Sequence, residues 1–108
     1  MLYELRTYEA VPGRMPALAA RFRDHTLALF EKHGLELVFM AMTEFGNNSN
    51  NELVYALRFQ SYQEMQERWA AFQADPDWRQ VRQESEKDGP LVARISRQLL
   101  NAAAFEKS

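Results

Sequence analysis

The segment from Ser61 to Trp78 strongly limits the fold of this chain, because it contains a helix start, a helical face and a helix stop. Glu64 follows Ser61 at the spacing of a capping box, in which the two side chains bond free backbone N–H groups of the first helical turn. Asp75 followed by Pro76 predicts that another helix begins directly afterwards. Between these signals, apolar residues recur at helical spacing and predict one buried stripe: Tyr62, Met65, Trp69 and Phe72.

The other segments predict the order β-α-β-β-α-β. Strand-forming residues are concentrated in LYELRTYE (2–9), LELVFMAMTEFG (35–46), ELVYALRFQ (52–60) and LVARISRQLL (91–100). A helix is expected from about Arg14 to His33, and Gly34 can adopt the left-handed conformation that ends a helix. We therefore predict an α+β fold of the ferredoxin-like type, with an antiparallel four-stranded sheet that carries the helices on one face.

Length and composition narrow the class of protein. The 108 residues are enough for one domain, which we predict at 1–108, with an ordered core at about 1–100 and a C-terminal tail at 101–108. A net charge of −2 gives no basic surface for nucleic acid or an anionic membrane, so neither is an expected partner. The chain has no cysteine, and MLYELRTYE lacks the apolar core of a signal peptide, which favours a cytoplasmic protein.

The alternation of side chains assigns two faces to the sheet. We expect the following set to lie under the helices: Tyr3, Leu5, Leu35, Leu37, Phe39, Leu53, Tyr55, Leu57, Phe59, Ala93, Ile95 and Leu99. The opposite set is Leu2, Glu4, Arg6, Tyr8, Val38, Met40, Met42, Glu44, Val54, Ala56, Arg58, Val92, Arg94 and Leu100. This second face is too apolar for open solvent, so we predict that a second copy of the chain covers it in a two-fold homodimer.

Several short motifs, taken in order, resemble the NIPSNAP family. They are YELRTY (3–8), Pro12-Gly13, EKHG (31–34) and ADPDW (74–78), and the resemblance extends over nearly the whole chain. It implies a dimeric α+β barrel and little about chemistry. The same architecture is similar to that of antibiotic-biosynthesis monooxygenases, haem-degrading monooxygenases and stress-responsive barrel proteins, but this likeness concerns the fold, which does not determine function.

Two histidines are candidates for chemistry. His25 is expected on or beside the inward stripe of the first helix, where an imidazole could act as a general base or ligate haem. We favour a half-buried histidine that bonds a neighbour, because one imidazole does not define a reaction. His33 is expected to interact with the free carbonyl groups at the helix end. The spacing of the two does not match a metal motif, so no metal site is predicted.

Charged and aromatic residues of the sheet suggest a ligand pocket. Five charged residues are predicted to share the second face: Glu4, Arg6, Glu44, Arg58 and Arg94. Arg6 and Arg58 could bind a carboxylate, with Tyr3 and Tyr55 as further ligand-binding residues. We favour the alternative of an ion-pair network that fixes the dimer, since acidic and basic residues nearly balance. Aromatic residues could line a cavity, although a plain core is the preferred interpretation: Tyr3, Tyr55, Tyr62, Trp69, Phe72 and Trp78.

The sequence therefore predicts a dimeric protein that binds a small apolar or carboxylate ligand, or that is structural, with no cofactor. The alternative is a cofactor-independent monooxygenase of the antibiotic-biosynthesis type or a haem-degrading monooxygenase. No nucleophile motif or phosphate-binding loop occurs in the chain, so the sequence leaves open whether it catalyses any reaction.

Overall fold

The computed structural model describes residues 1–107 and confirms the predicted order of elements. The elements are β1 (Leu2–Ala10), α1 (Met15–Arg21), a π-helical segment (Phe22–Thr26), α2 (Leu27–Lys32), β2 (Glu36–Met42), β3 (Glu52–Phe59), α3 (Tyr62–Ala74), α4 (Pro76–Ser85), β4 (Val92–Asn101) and a 3-10 turn (Ala103–Phe105). The strands form one antiparallel sheet in the order β2-β3-β1-β4. This is the ferredoxin-like arrangement, with β1 and β3 in the centre.

The register of the central strands shows which side chains lie under the helices. Residues directly opposite each other in an antiparallel pair share a face, and Glu4 and Arg6 of β1 oppose Leu57 and Tyr55 of β3. Leu57 and Tyr55 are fully buried in the core. The even-numbered residues of β1 therefore face the helices, and Tyr3 and Leu5 face the other way.

The predicted faces were thus wrong for β1. They were right for β3 and for Leu37 of β2. A bulge between Leu37 and Phe39 then moves Phe39 to the uncovered face and turns Met40 and Met42 towards the helices, against the prediction. The prediction failed in β1 because both sets of alternating positions contain large apolar residues. Alternation places Glu4 and Arg6 on the second face with the rest of their set, whereas in the structure they pair with each other below the helices.

The core forms where the helices cross β1 and β3. Fully buried side chains at its centre include Leu18, Phe30, Tyr55, Leu57, Phe59 and Phe72. Of the predicted α3 stripe, Met65 and Phe72 are buried and Trp69 is partly buried against them. Tyr62 is 54% exposed and does not belong to the core.

The predicted helix starts are confirmed, with one difference. Ser61 Oγ accepts a hydrogen bond of 3.1 Å from the Glu64 backbone N–H. The Glu64 carboxylate does not complete the capping box, because it lies 3.4 Å from Arg68 Nε. At the start of α4, Asp75 Oδ1 accepts a hydrogen bond of 2.8 Å from the Asp77 backbone N–H.

Asp75 also connects the end of α2 to the junction of α3 and α4. Its Oδ2 lies 2.8 Å from Lys32 Nζ and 2.6 Å from His33 Nε2. The imidazole of His33 therefore contacts a carboxylate, in place of the helix carbonyl groups expected from the sequence. Hydrogen bonds from Lys32, then His33, then the Asp77 backbone hold the pKa of Asp75 far below its usual range.

No helix within residues 1–107 has the combination of length and apolar composition that a membrane span requires.

We predict that Asp75 makes stability depend on acid pH. Since its pKa is lower in the folded chain, the stabilisation is present above the unfolded value of about 3.9 and decreases as pH falls below it. Asp75→Asn should therefore unfold at lower urea concentration than the wild type at pH 6, and this difference should shrink between pH 4 and pH 2. The exposed Asp24→Asn is the control, and a pH-independent difference for Asp75→Asn would contradict the prediction.

Candidate functional site

A cavity of about 440 Å³ lies between the sheet and the helices, next to the first residues of β4. Seven of its lining residues are aromatic, Tyr8 and Tyr55 from the sheet and Phe22, Phe30, Trp69, Phe72 and Trp78 from the helices. Four arginines and one glutamate also line it: Arg6, Arg21, Arg82, Arg94 and Glu86. A concave cavity that combines aromatic rings with converging charged groups is a candidate small-molecule site. We call it the cleft.

The π-helical segment Phe22–Thr26 shapes the helical wall of the cleft. Residues four apart drift around a regular α-helix by about 40° per step. The π-helical turn contains an extra residue, which offsets much of this rotation. Four residues spaced four apart therefore all face inward and are buried: Leu18, Phe22, Thr26 and Phe30. Thr26 Oγ1 donates a hydrogen bond of 3.3 Å to the Arg21 carbonyl oxygen. Segments of this kind occur frequently at functional sites.

His25 does not lie in the cleft. It is exposed and borders a separate groove between α1 and α4 with Asp24 and Glu84. The inward position expected for His25 is occupied by Thr26, because the extra residue of the π-helical turn rotates position 25 towards solvent. Residues 1–107 contain no group of three or more histidine, aspartate or glutamate side chains placed to hold a metal ion.

A buried carboxylate lies beneath the cleft. Glu4 has no exposed surface, and its Oε1 accepts a hydrogen bond of 2.6 Å from Trp69 Nε1. Its Oε2 lies 3.1 Å from Arg6 Nη1 and also accepts a hydrogen bond from Arg97 Nε. A charge without exposure requires such partners, so Glu4 joins β1 to α3 and to β4.

Arg6 reaches from the sheet to the wall of the cleft. Its Nη2 donates a hydrogen bond of 3.1 Å to Tyr8 Oη, which lies 3.0 Å from Tyr55 Oη. The guanidinium is 4.6 Å from the centroid of the Trp69 ring, which is cation–π distance. Burial by itself lowers the pKa of Arg6, but Tyr55, Tyr8 and the Glu4 carboxylate outweigh it and raise the pKa above the ordinary value.

Tyr55 remains a neutral phenol in this environment. Its pKa is raised well above the ordinary value, first by burial and then by Tyr8. The Tyr8–Tyr55 pair therefore offers hydroxyl groups, and Arg6 supplies a permanent positive charge.

Arg21 is the second buried cation of the cleft. Only 6% of its side chain is exposed, and its Nη1 lies 3.4 Å from Ser85 Oγ and 3.6 Å from Glu86 Oε2. Its guanidinium is 5.4 Å from the centroid of the Trp78 ring. Burial lowers the pKa of Arg21 and Glu86 opposes this, yet arginine still carries its charge near neutral pH.

Both of these arginines retain an unused donor. The Nε atoms of Arg6 and Arg21 are buried without a hydrogen-bond partner among residues 1–107, and the same holds for Arg14, which does not line the cleft. Buried donors of native proteins are normally bonded, so an unpaired one requires an explanation.

The structure divides the four predicted ligand-binding residues between two faces. Arg6 and Tyr55 lie together in the cleft. Tyr3 and Arg58 oppose each other on the uncovered face, where Arg58 forms an ion pair with Glu36.

The predicted network of five charges is also divided. Arg94 pairs with Glu9 at 3.3 Å, and Glu44 is exposed beyond the end of β2. Glu4 and Arg6 therefore share no face with Arg58, and the interpretation of all five as one network is wrong.

Sequence reasoning missed Arg21 and Tyr8 as residues of the cleft. A signal for Arg21 was available, because it lies three residues after Leu18 and directly before Phe22 on the apolar side of the first helix. A charged residue at such a position is buried only when it is paired. Tyr8 had been assigned to the uncovered face with the rest of its set.

The family is shown by a match of the NIPSNAP family model to residues 3–107. The chain belongs to the NIPSNAP family. A NIPSNAP family protein with unknown function from Agrobacterium tumefaciens is 30% identical, with a TM-score of 0.80 over 93% of this chain and 86% of that chain. An uncharacterised NIPSNAP domain protein from Burkholderia xenovorans is 22% identical, with a TM-score of 0.83 over the whole of both chains.

The fold extends beyond NIPSNAP proteins. A putative antibiotic biosynthesis monooxygenase from Nitrosomonas europaea has a TM-score of 0.63 and 9% identity, over 94% of this chain and 97% of that chain. At this identity the likeness shows the ferredoxin-like fold alone. No curated protein matches the chain.

We predict that the Trp69 hydrogen bond stabilises the fold. Trp69→Phe keeps an aromatic ring but removes a donor from the fully buried Glu4, so it should lower the free energy of unfolding by about 1.5–3 kcal/mol. Trp69→Ala should cost about 3–5 kcal/mol, since ring packing is also lost. Urea unfolding measures both changes. The control is Trp78→Phe, which keeps the contact with Phe72, and an equal loss for both phenylalanine variants would contradict the role of the hydrogen bond.

Proposed function

We propose that this NIPSNAP protein binds a small molecule with a flat apolar body and an acidic group in the cleft. The supporting observation is the pair of largely buried guanidinium groups, Arg6 and Arg21, that line a cavity with seven aromatic residues. An anionic ligand is the partner that would compensate such donors, because charge-assisted bonds between arginine and carboxylate are strong and geometrically defined.

The charge of the wall supports the same ligand class. Four arginines and one glutamate line the cleft, so its charged side chains sum to a positive value. Seven aromatic rings supply apolar surface on which a flat molecule can stack. Arg6 and Tyr55, two of the residues predicted from the sequence, belong to this site, whereas Tyr3 and Arg58 do not.

Aromatic monocarboxylates test this proposal. We expect saturable heat of binding in calorimetry with at least one of benzoate, cinnamate and 2-naphthoate, and roughly tenfold or greater weakening for the corresponding amide, since the amide cannot form a charge-assisted bond. Arg21→Gln should weaken binding of the acid and change binding of the amide little. Arg23→Gln, a change at an exposed arginine outside the cleft, is the control. Absence of saturable binding by all three acids at millimolar concentration would contradict the proposal.

The cleft gives no specific support to a monooxygenase. The likeness to the Nitrosomonas europaea protein is compatible with that alternative through the fold alone, and the predicted catalytic candidate His25 lies outside the cleft. We therefore propose binding and assign no reaction.

We also propose that the protein is a homodimer formed through the uncovered face of the sheet. Apolar residues lie on this face at its centre, where Leu5 is partly exposed, and at its edges, where Phe39 and Leu100 are 46% and 45% exposed. A second copy would remove this surface from water. The cleft lies on the opposite face of the sheet and would remain free. We propose a cytoplasmic location, with which the lack of cysteine is compatible.

Light scattering tests the dimer. At micromolar concentration we expect twice the mass of the chain for the wild type, and the mass of a monomer for Leu5→Glu, because the new charge would lie in the middle of the interface. Tyr62→Glu, a similar change at an exposed helix position, should remain dimeric. A monomeric mass for the wild type would contradict the proposed interface.

A further inference from the structure

Each buried arginine of the cleft shares its carboxylate with a second arginine. Arg6 and Arg97 both contact the same oxygen, Oε2 of Glu4, the former at 3.1 Å. We call Arg6, Glu4 and Arg97 the sheet triad.

The helices repeat this arrangement. Glu86 Oε2 lies 3.6 Å from Arg21 Nη1 and 3.2 Å from Arg82 Nε. We call Arg21, Glu86 and Arg82 the helix triad. Each triad contains two positive charges and one negative charge, so each has one positive charge in excess.

A row of aromatic rings connects the two triads. Arg6 of the sheet triad stacks on Trp69, and Arg21 of the helix triad lies over Trp78. Phe72 lies between the two tryptophans, with ring centroids 5.4 Å from Trp69 and 4.9 Å from Trp78. The wall therefore has a cation at each end and apolar surface between them, and two ring-to-ring steps correspond to on the order of 10 Å.

The fourth arginine of the wall adds no further excess charge. Arg94 pairs with Glu9 at 3.3 Å, so this pair is neutral. The two excess charges belong to the triads.

We propose that the ligand of the cleft is a dianion, with one acidic group at the sheet triad, the other at the helix triad, and a flat apolar body along Trp69, Phe72 and Trp78. This inference rests on the proposed binding function and specifies its ligand class. A monoanion can form charge-assisted hydrogen bonds at one triad only, and the other triad keeps its excess charge. A dianion of matching length compensates both.

The experiment compares two acids with the same rings. Calorimetry at low salt and neutral pH measures the binding of 4,4′-biphenyldicarboxylate and of 4-biphenylcarboxylate, which differ by one terminal carboxylate. We expect the dicarboxylate to bind at least tenfold more tightly.

Two variants test whether the triads cause the preference for the dicarboxylate. Arg82→Gln and Arg97→Gln each remove the more exposed arginine of one triad, with 63% and 51% of the side chain exposed, and keep the buried arginine–glutamate pair. Each triad then becomes neutral without an unpaired carboxylate, so the fold should persist. We expect either variant to reduce the preference for the dicarboxylate to less than about threefold. Arg23→Gln removes one exposed charge outside the cleft and should leave the preference unchanged.

The outcomes separate the two proposals. Equal affinity for the two acids would overturn the dianion inference and leave the binding function in place. A tenfold preference that persists in both Arg82→Gln and Arg97→Gln would also overturn it, because the triads would then not be its source. If neither biphenyl acid binds but one of benzoate, cinnamate and 2-naphthoate does, the dianion inference fails and the binding function stands. If none of the five acids binds, both fail.

Discussion

The arrangement of the whole molecule depends on the fully buried carboxylate of Glu4. A carboxylate without access to water is stable only when donors surround it, and these donors come from three elements: Arg6 of β1, Trp69 of α3 and Arg97 of β4. Glu4 thereby determines which face of β1 lies under the helices. It also holds the guanidinium of Arg6 against Trp69, at the edge of the cleft.

The order of helices and strands could be predicted because its signals are local. Ser61 and Asp75 each accept a backbone hydrogen bond within three residues, so the sequence around them is sufficient. Which face of β1 lies under the helices could not be predicted from local signals. LYELRTYE has apolar side chains on both of its faces, and the contact that selects one face joins Glu4 to Trp69, 65 residues later. Sequence spacing contains no information about such a contact.

The site was partly predictable for the same reason. Arg6 and Tyr55 are predicted as ligand-binding residues from their chemistry, and both line the cleft. The predicted facing of β1, however, places Arg6 and Tyr8 on the opposite face of the sheet from Tyr55. The helical wall of the cleft could not be predicted from the regular α-helical periodicity. That periodicity places His25 on the inward face, whereas the π-helical segment places Thr26 there. To predict which sheet and helix residues line the cleft, both the register of the strands and the rotation of the helix must be known. Neither of these is determined by local sequence.

The π-helical segment links the core to the cleft through the number of residues in the first helix. A π-helical turn holds one residue more than an α-helical turn, so deletion of one of the exposed residues Arg23, Asp24 and His25 would convert Phe22–Thr26 to a regular α-helical turn. α1 would then keep its orientation relative to α2, and Leu18 in the core and Arg21 at the cleft would keep their positions. The first helix can therefore change its length by one residue at this turn without loss of the core or the cleft.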